Sequence, residues 1–393
     1  MDIGFAEALL LVGLLLAVAA ALSGVMHGTV LSISVLAVSL GVGLAATDVI
    51  SVSAADASIV HLIELALALT LFADGLVVER ELLAAHWTPV ARALTVAMPI
   101  TMALFAVAAK ALFGELDWSE AFLLGAVLAP TDPVITSTIV ASQRVPAAVR
   151  HTLNLESGLN DGLALPLVLF FIILASPGGG AGSEAAKLVG EAAVGALVGV
   201  VLGVLGGRLH RLRPGGGITA RYEGIYAVGL GLIAFGLAEA TFGNGLIAAF
   251  VTGIALGASE HEVPEAFVVF SENLSAIFQV LTFVVFGALI VATGYGASIW
   301  ALVAFVPFAL LIARPAAVTA ALAGTRMPRA HKAFIAWFGP KGVASILFAL
   351  FVLNSDVANG PLVFDVAAFV VLASIVAHGL TDTVGARWIE RRM

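Results

Sequence analysis

The chain contains no cysteine, which excludes a disulfide framework and a thiolate metal site. Charge is scarce as well: 11% of the residues are Asp, Glu, Lys or Arg, against about 25% in a soluble domain. No His-Glu-x-x-His and no Gly-x-Ser-x-Gly occurs, so metalloprotease and serine-hydrolase chemistries lack their parts. The apolar stretch after Asp2 has no basic region before it, so it reads as a first span and not as a cleaved signal peptide.

What is present is apolar. Hydrophobic residues make up 61% of the chain and the mean hydropathy is +1.10, which describes an all-α polytopic membrane protein. A span needs roughly 20 mostly apolar residues. Thirteen segments qualify, at about 4–23, 28–46, 58–78, 88–112, 119–141, 151–175, 185–207, 222–240, 243–258, 266–292, 298–322, 332–353 and 362–385. Loops after odd-numbered segments hold 13 of the 18 Lys and Arg residues, among them Arg80, Arg144, Arg211, Arg326, Lys332 and Arg391. The positive-inside rule then puts the N-terminus outside and the C-terminus in the cytoplasm. Trp87, Trp118, Trp300 and Trp388 fall at segment ends, where interfacial aromatics belong.

A faint internal repeat runs through these segments. Leu69–Val78 (LTLFADGLVV) and Leu281–Ile290 (LTFVVFGALI) share Leu-Thr and Gly at one spacing, 212 residues apart. The fifth segment is interrupted by Ala-Pro-Thr-Asp-Pro, with Pro130 and Pro133, and the twelfth by Gly-Pro-Lys-Gly, with Pro340. Proline removes a backbone donor and clashes with the preceding turn, so both helices are expected to unwind there. Six segments, one linker and six more make a 6+1+6 inverted repeat, about 4–175 and 222–385, joined by 185–207. Paired interruptions of this kind point to a transporter's ion site; simple kinks are the plainer alternative.

Ionisable groups in hydrocarbon cost roughly 2.5 to 3.5 kcal/mol each. Asp132, Glu156, Asp161, Arg314 and Lys341 cluster in the expected core and must face one another or a water-filled cavity. Three acids and two bases leave one negative charge, which one proton or one monovalent cation neutralises. Glu64, Asp74 and Glu239 also lie in or near segments and are left out of that sum. In the sixth segment Glu156 and Asn160 are four apart and share a face, with Asp161 about 100° further round. One carboxylate can thus be committed to a base while the next stays open. Burial disfavours a charged carboxyl, so a proton and a hard, oxygen-seeking cation compete for it.

These motifs, Ala-Pro-Thr-Asp-Pro, Glu-Ser-Gly-Leu-Asn-Asp-Gly (Glu156–Gly162), Ala-Arg-Pro around Arg314 and Gly-Pro-Lys-Gly around Lys341, resemble the NhaP-type sodium/proton antiporters, relatives of the eukaryotic sodium/proton exchangers. The resemblance implies a thirteen-helix fold in a cell (plasma or inner) membrane, with the lipid bilayer, monovalent cations and protons as partners, no nucleic acid and no cofactor. It implies a homodimer, with scaffold helices at 4–78 and 185–292 and a moving core at 88–175 and 298–385. It implies electroneutral exchange of one Na⁺, with Li⁺ or K⁺ as alternatives, for one H⁺ by an elevator-type movement, serving pH and sodium homeostasis. Carried over, Asp161 resembles the ion- and proton-carrying aspartate and Asn160 its neutral companion. Thr131, Asp132 and Ser157 resemble the residues that complete the ion site, and Glu156 with Arg314 a structural ion bridge. Lys341 stands where family members usually have Arg. Glu64 either reaches the ion through water or pairs with His61. The chain ends eight residues after the last segment, so no C-terminal regulatory domain is expected.

Other residues receive plainer readings: His61 and His378 as interfacial histidines, and Glu260, His261, Glu262 and Glu265 as an acidic loop that is either simply solvated or attracts cations to the entrance. An aspartyl protease would need two carboxylates sharing a proton, and Asp161 has Asn160 beside it. A cation channel would need rings of oxygens from several subunits.

Overall fold

The computed structural model describes residues 5–26, 33–53, 56–78, 87–132, 144–177, 181–211, 218–259, 264–293 and 296–392. Pro133 and residues 260–262 lie outside them. Among the described residues there are fourteen helices: α1 (Phe5–Met26), α2 (Ile33–Ala46), α3 (Ala57–Val77), α4 (Trp87–Leu112), α5 (Trp118–Leu128), α6 (Ala147–Ala175), α7 (Ala181–Arg211), α8 (Ala220–Ala240), α9 (Gly245–Ser259), α10 (Glu265–Thr293), α11 (Ile299–Ala321), α12 (Arg329–Trp337), α13 (Val343–Leu353) and α14 (Gly360–Glu390). Eight of them, α3, α4, α6, α7, α8, α10, α11 and α14, are long and apolar enough to cross a membrane. Four more, α2, α5, α9 and α13, are shorter and apolar. The protein is a multi-pass membrane protein whose exposed large side chains, such as Val107, Leu163, Leu197 and Trp300, are apolar.

Packing divides the helices into two sets. One joins α1, α2, α3, α7, α8, α9 and α10, and the other joins α4, α5, α6, α11, α12, α13 and α14; contacts of α3, α7 and α9 with α6, of α3 and α10 with α13, and of α2 and α10 with α14 link the two. Small residues allow the close approaches that substitute for a hydrophobic drive within lipid. A side chain on Gly75 of α3 would strike the Phe250 carbonyl of α9, and one on Gly253 of α9 would strike the Phe72 carbonyl of α3.

Local chemistry fixes the elements that matter for the site. Asp117 and Glu120 form a reciprocal capping box at the start of α5, satisfying two free N–H groups. Glu120 also accepts from Asn359 N–H at 3.0 Å and Asn359 Nδ2 at 2.8 Å, tying α5 to the start of α14. α4 and α11 each carry one π turn, Ala93–Ala97 and Ala309–Ala313, and each is followed within two residues by a proline, Pro99 or Pro315. Proline cannot supply the next helical N–H and crowds the carbonyl four residues back, and a widened turn relieves both problems. The second π turn delivers Arg314.

The fifth predicted segment is helical to Leu128 and interrupted at residues 129–132, where Ala-Pro-Thr-Asp-Pro leads one to expect a break. One boundary differs from the sequence expectation. The last helix continues to Glu390, so His378 lies twelve residues inside it and is 2% exposed. It is a buried histidine and not an interfacial one.

Candidate functional site: a crossing of two broken helices

α5 stops at Leu128, and the pair α12 and α13 is interrupted between Trp337 and Val343. The two interruptions meet. Asp132 N–H donates to the Pro340 carbonyl at 2.9 Å, and Asp132 Oδ2 accepts from Val343 N–H at 2.9 Å. In return Lys341 Nζ donates to the carbonyls of Ala129 at 3.1 Å and Pro130 at 3.0 Å. A helix start presents unpaired N–H groups with partial positive charge, and a helix end presents unpaired carbonyls with partial negative charge. Asp132 therefore answers the open start of α13, and Lys341 answers the open end of α5. Each break supplies the charge that the other lacks.

The glycines of Gly-Pro-Lys-Gly make this approach possible. A Cβ on Gly342 would overlap the Asp132 carboxylate, and one on Gly339 would overlap the Arg314 guanidinium.

α6 lays its polar residues against this crossing. Glu156, Ser157, Asn160 and Asp161 are each at most 4% exposed. Arg314 forks onto Glu156, with Nη1 to Oε1 at 2.9 Å and Nη2 to Oε2 at 3.1 Å, a bidentate pair that neutralises both charges. Asn160 Nδ2 donates to Thr131 Oγ1 at 2.7 Å, and Asn160 Oδ1 faces Thr131 N–H at 3.4 Å. Ser157 Oγ donates to the Thr131 carbonyl. A cavity of ≈ 10 Å³ opens at Thr131, Asp132, Ser157, Gly339 and Pro340, about the room that one water needs.

Asp161 differs from all of these. It is 3% exposed, and its Oδ1 has no hydrogen-bond partner. The charged groups facing it are Asp74, Asp132 and Lys341. An unpaired buried carboxylate is costly, so this oxygen calls for a proton or a cation. The small cavity nearby is lined by the carboxylate of Asp132 and the hydroxyls of Thr131 and Ser157, oxygen groups of the kind that hard cations choose.

The structure thus brings together Thr131, Asp132, Glu156, Ser157, Asn160, Asp161, Arg314, Pro130, Pro340 and Lys341. It does not bring Glu64 there: the charged neighbours of Glu64 are His61 and Glu239. It adds Asp74 of α3, which lies across from Gly158 of α6, where a Cβ would stand 3.5 Å from Asp74 Cβ. Asp74 faces Asp132, Glu272 and, across the helix contact, Asp161. Asp74 thus adds a sixth ionisable group to the five core residues counted in the sequence. Asp74 sits inside the repeated Leu69–Val78 stretch, which is the signal that could have marked it.

Comparison with known proteins agrees with this architecture. The family model described as "Sodium/hydrogen exchanger, transmembrane" matches residues 13–384. The K(+)/H(+) antiporter NhaP of Alkalimonas amylolytica is 28% identical over 331 residues, covering 83% of this chain and 57% of that protein. The Na(+)/H(+) antiporter 2 of Zygosaccharomyces rouxii is 25% identical, covering 84% of this chain and 45% of that protein. The chain spans about half the length of these curated relatives. The solved structure of the sodium proton antiporter MjNhaP1 from Methanocaldococcus jannaschii superimposes with a TM-score of 0.76 at 20% identity, covering 98% of this chain and 97% of the other. With nearly its whole length matched by the family model, the chain belongs to the sodium/hydrogen exchanger family.

Proposed function

We propose that the protein is a secondary transporter exchanging a monovalent cation for a proton across a cell membrane, and that Asp161 carries both in turn. The observation behind this reading is the unpartnered Asp161 Oδ1, buried at a crossing whose other charges are already committed. Glu156 is held by Arg314, Asp132 by the start of α13, and Lys341 by the end of α5. A proton and a cation are alternative ways to neutralise the same oxygen, so loading one expels the other. Either form can enter a low-dielectric passage, whereas the empty, charged form is penalised. That asymmetry couples the two fluxes.

In the proposed cycle the set containing α4 to α6 and α11 to α14 moves against the set containing α2, α3 and α7 to α10, as an elevator. The latter set also forms the homodimer contact. The π turns in α4 and α11, together with the paired breaks, support a repeat in which these helices are equivalent. The N-terminus is placed outside and the C-terminus in the cytoplasm by the basic loops, and thirteen crossings follow from joining α12 with α13.

Sodium, with lithium, is the first reading for the cation. Potassium is the second, because relatives matched here carry the name K(+)/H(+) antiporter. Vesicles holding the purified protein and an imposed pH gradient test the proposal. Added Na⁺, Li⁺ or K⁺ is expected to dissipate the gradient in the order of selectivity, and Asp161→Asn to abolish the response. Normal exchange by Asp161→Asn would overturn the assignment of the carrier.

A further inference from the structure

Behind the crossing, α14 presents two buried residues that the exchange scheme does not use. Ser374 and His378 are one turn apart, and are 0% and 2% exposed. Lys341 N–H donates to Ser374 Oγ at 2.7 Å. His378 Nδ1 stands 3.2 Å from that Oγ and 2.8 Å from the Ser374 carbonyl, and Nε2 stands 3.0 Å from the Trp337 carbonyl.

The two ends of this chain of bonds are the two sides of the break. Trp337 is the last residue of α12, and Lys341 N–H follows Pro340 outside any helix. With a proton on Nε2, every donor is used once: Lys341 N–H to Ser374 Oγ, the Ser374 hydroxyl to Nδ1, and Nε2–H to the Trp337 carbonyl. A further proton on Nδ1 would go to the Ser374 carbonyl and leave the Trp337 bond in place. Trp337 Nε1–H also donates to Thr381 Oγ1 at 3.0 Å. One face of α14 therefore grips both sides of the unwound segment.

What this grip controls is the ammonium of Lys341. The side chain is 1% exposed. Its Nζ bonds the Ala129 and Pro130 carbonyls and lies 5.7 Å from the centre of the Phe105 ring. Asp161 is one of the acids it faces. A lysine stem is flexible, so the backbone position at residue 341 decides which of these acceptors the ammonium reaches. An ammonium released from the end of α5 would meet the open oxygen of Asp161 and take the cation's place.

We propose that Ser374 and His378 are positioning residues whose hold on the broken helix keeps Lys341 on the α5 carbonyls and leaves Asp161 open to the cation. The proposal rests on the assignment of Asp161 as carrier. Two readouts separate the two ideas: exchange in vesicles, and the Kd for Na⁺ (and K⁺) from the cation dependence of Tm in detergent. Ser374→Ala and His378→Ala are expected to raise KM and Kd about tenfold, with maximal rate changed far less. His378→Gln, which retains one donor and one acceptor, is expected to stay near the parent. In a Lys341→Met background the His378→Ala increase is expected to vanish, because the internal competitor is gone. Unchanged Kd in both alanine variants overturns the proposal, as does an increase that persists undiminished in the Lys341→Met background. If wild-type protein binds the cation but exchanges nothing, the transport reading fails while the Kd comparison still decides this one.

Discussion

Neighbouring residues on α6 meet different fates because their partners differ. Glu156 is saturated by the Arg314 fork, Asn160 spends its amide on Thr131, and Asp161 is left with a free oxygen. Breaking a buried pair by removing one charge costs roughly 3 to 5 kcal/mol, because the other charge stays buried. Glu156→Gln is therefore expected to lower Tm sharply and to reduce folded yield, and a second change, Arg314→Gln, is expected to restore part of the loss. A Tm series on the two single variants and the double variant checks this; additive losses would show that the pair is not coupled. The sequence alone required only that these buried acids and bases face one another or water; the choice of Glu156 as the partner of Arg314 came from the family resemblance. The contact of Asp74 with the same cluster was hidden from the sequence. It depends on α3 lying against Gly158, and no spacing along the chain reports which helix faces which.

At the scale of elements, the helix positions follow from apolar length, and the breaks follow from Pro130 and Pro340. What each break does to the other emerges only from their crossing. Gly342 illustrates the point: its motif reads as a flexible interruption, yet its role is steric. The Asp132 carboxylate occupies the space that a Cβ would take. Gly342→Ala is therefore expected to push Asp132 off Val343 N–H, exposing the start of α13 to an uncompensated dipole worth roughly 0.3 to 2 kcal/mol. Cation affinity should fall along with Tm, because Thr131 and Asp132 move together. An alanine variant with unchanged Kd for the cation would show that this contact is dispensable to the site. The π turns before Pro99 and Pro315 were also hidden from the sequence, where a proline announces a disturbance without its form.

At the scale of the whole molecule, Asp74 raises a question of charge. Asp74 and Asp161 together would give the site two uncommitted carboxylates, enough for a proton and a cation at once. Their locations separate them. Asp74 is on α3, in the set with α2, α9 and α10, while Asp161 is on α6, in the set with α4, α5 and α11 to α14. In the proposed movement only the second set travels. At the crossing this set holds Asp132, Glu156 and Asp161 against Arg314 and Lys341, while its other buried acids, Glu120, Asp365 and Asp382, are not among the groups that face Asp161; the crossing thus carries one negative charge when empty and none when loaded with one cation or one proton. Exchange is then expected to proceed without current, and Asp74→Asn to change cation affinity while leaving exchange silent electrically. Asn160→Asp puts a further carboxylate on the travelling set and is expected to make exchange sensitive to voltage. Currents recorded from proteoliposomes on a solid support, set against tracer flux from the same preparation, decide the matter. A current proportional to flux in the wild-type protein would mean that Asp74 travels with Asp161 or that the moving set is drawn wrongly, and in either case one-for-one exchange would not hold.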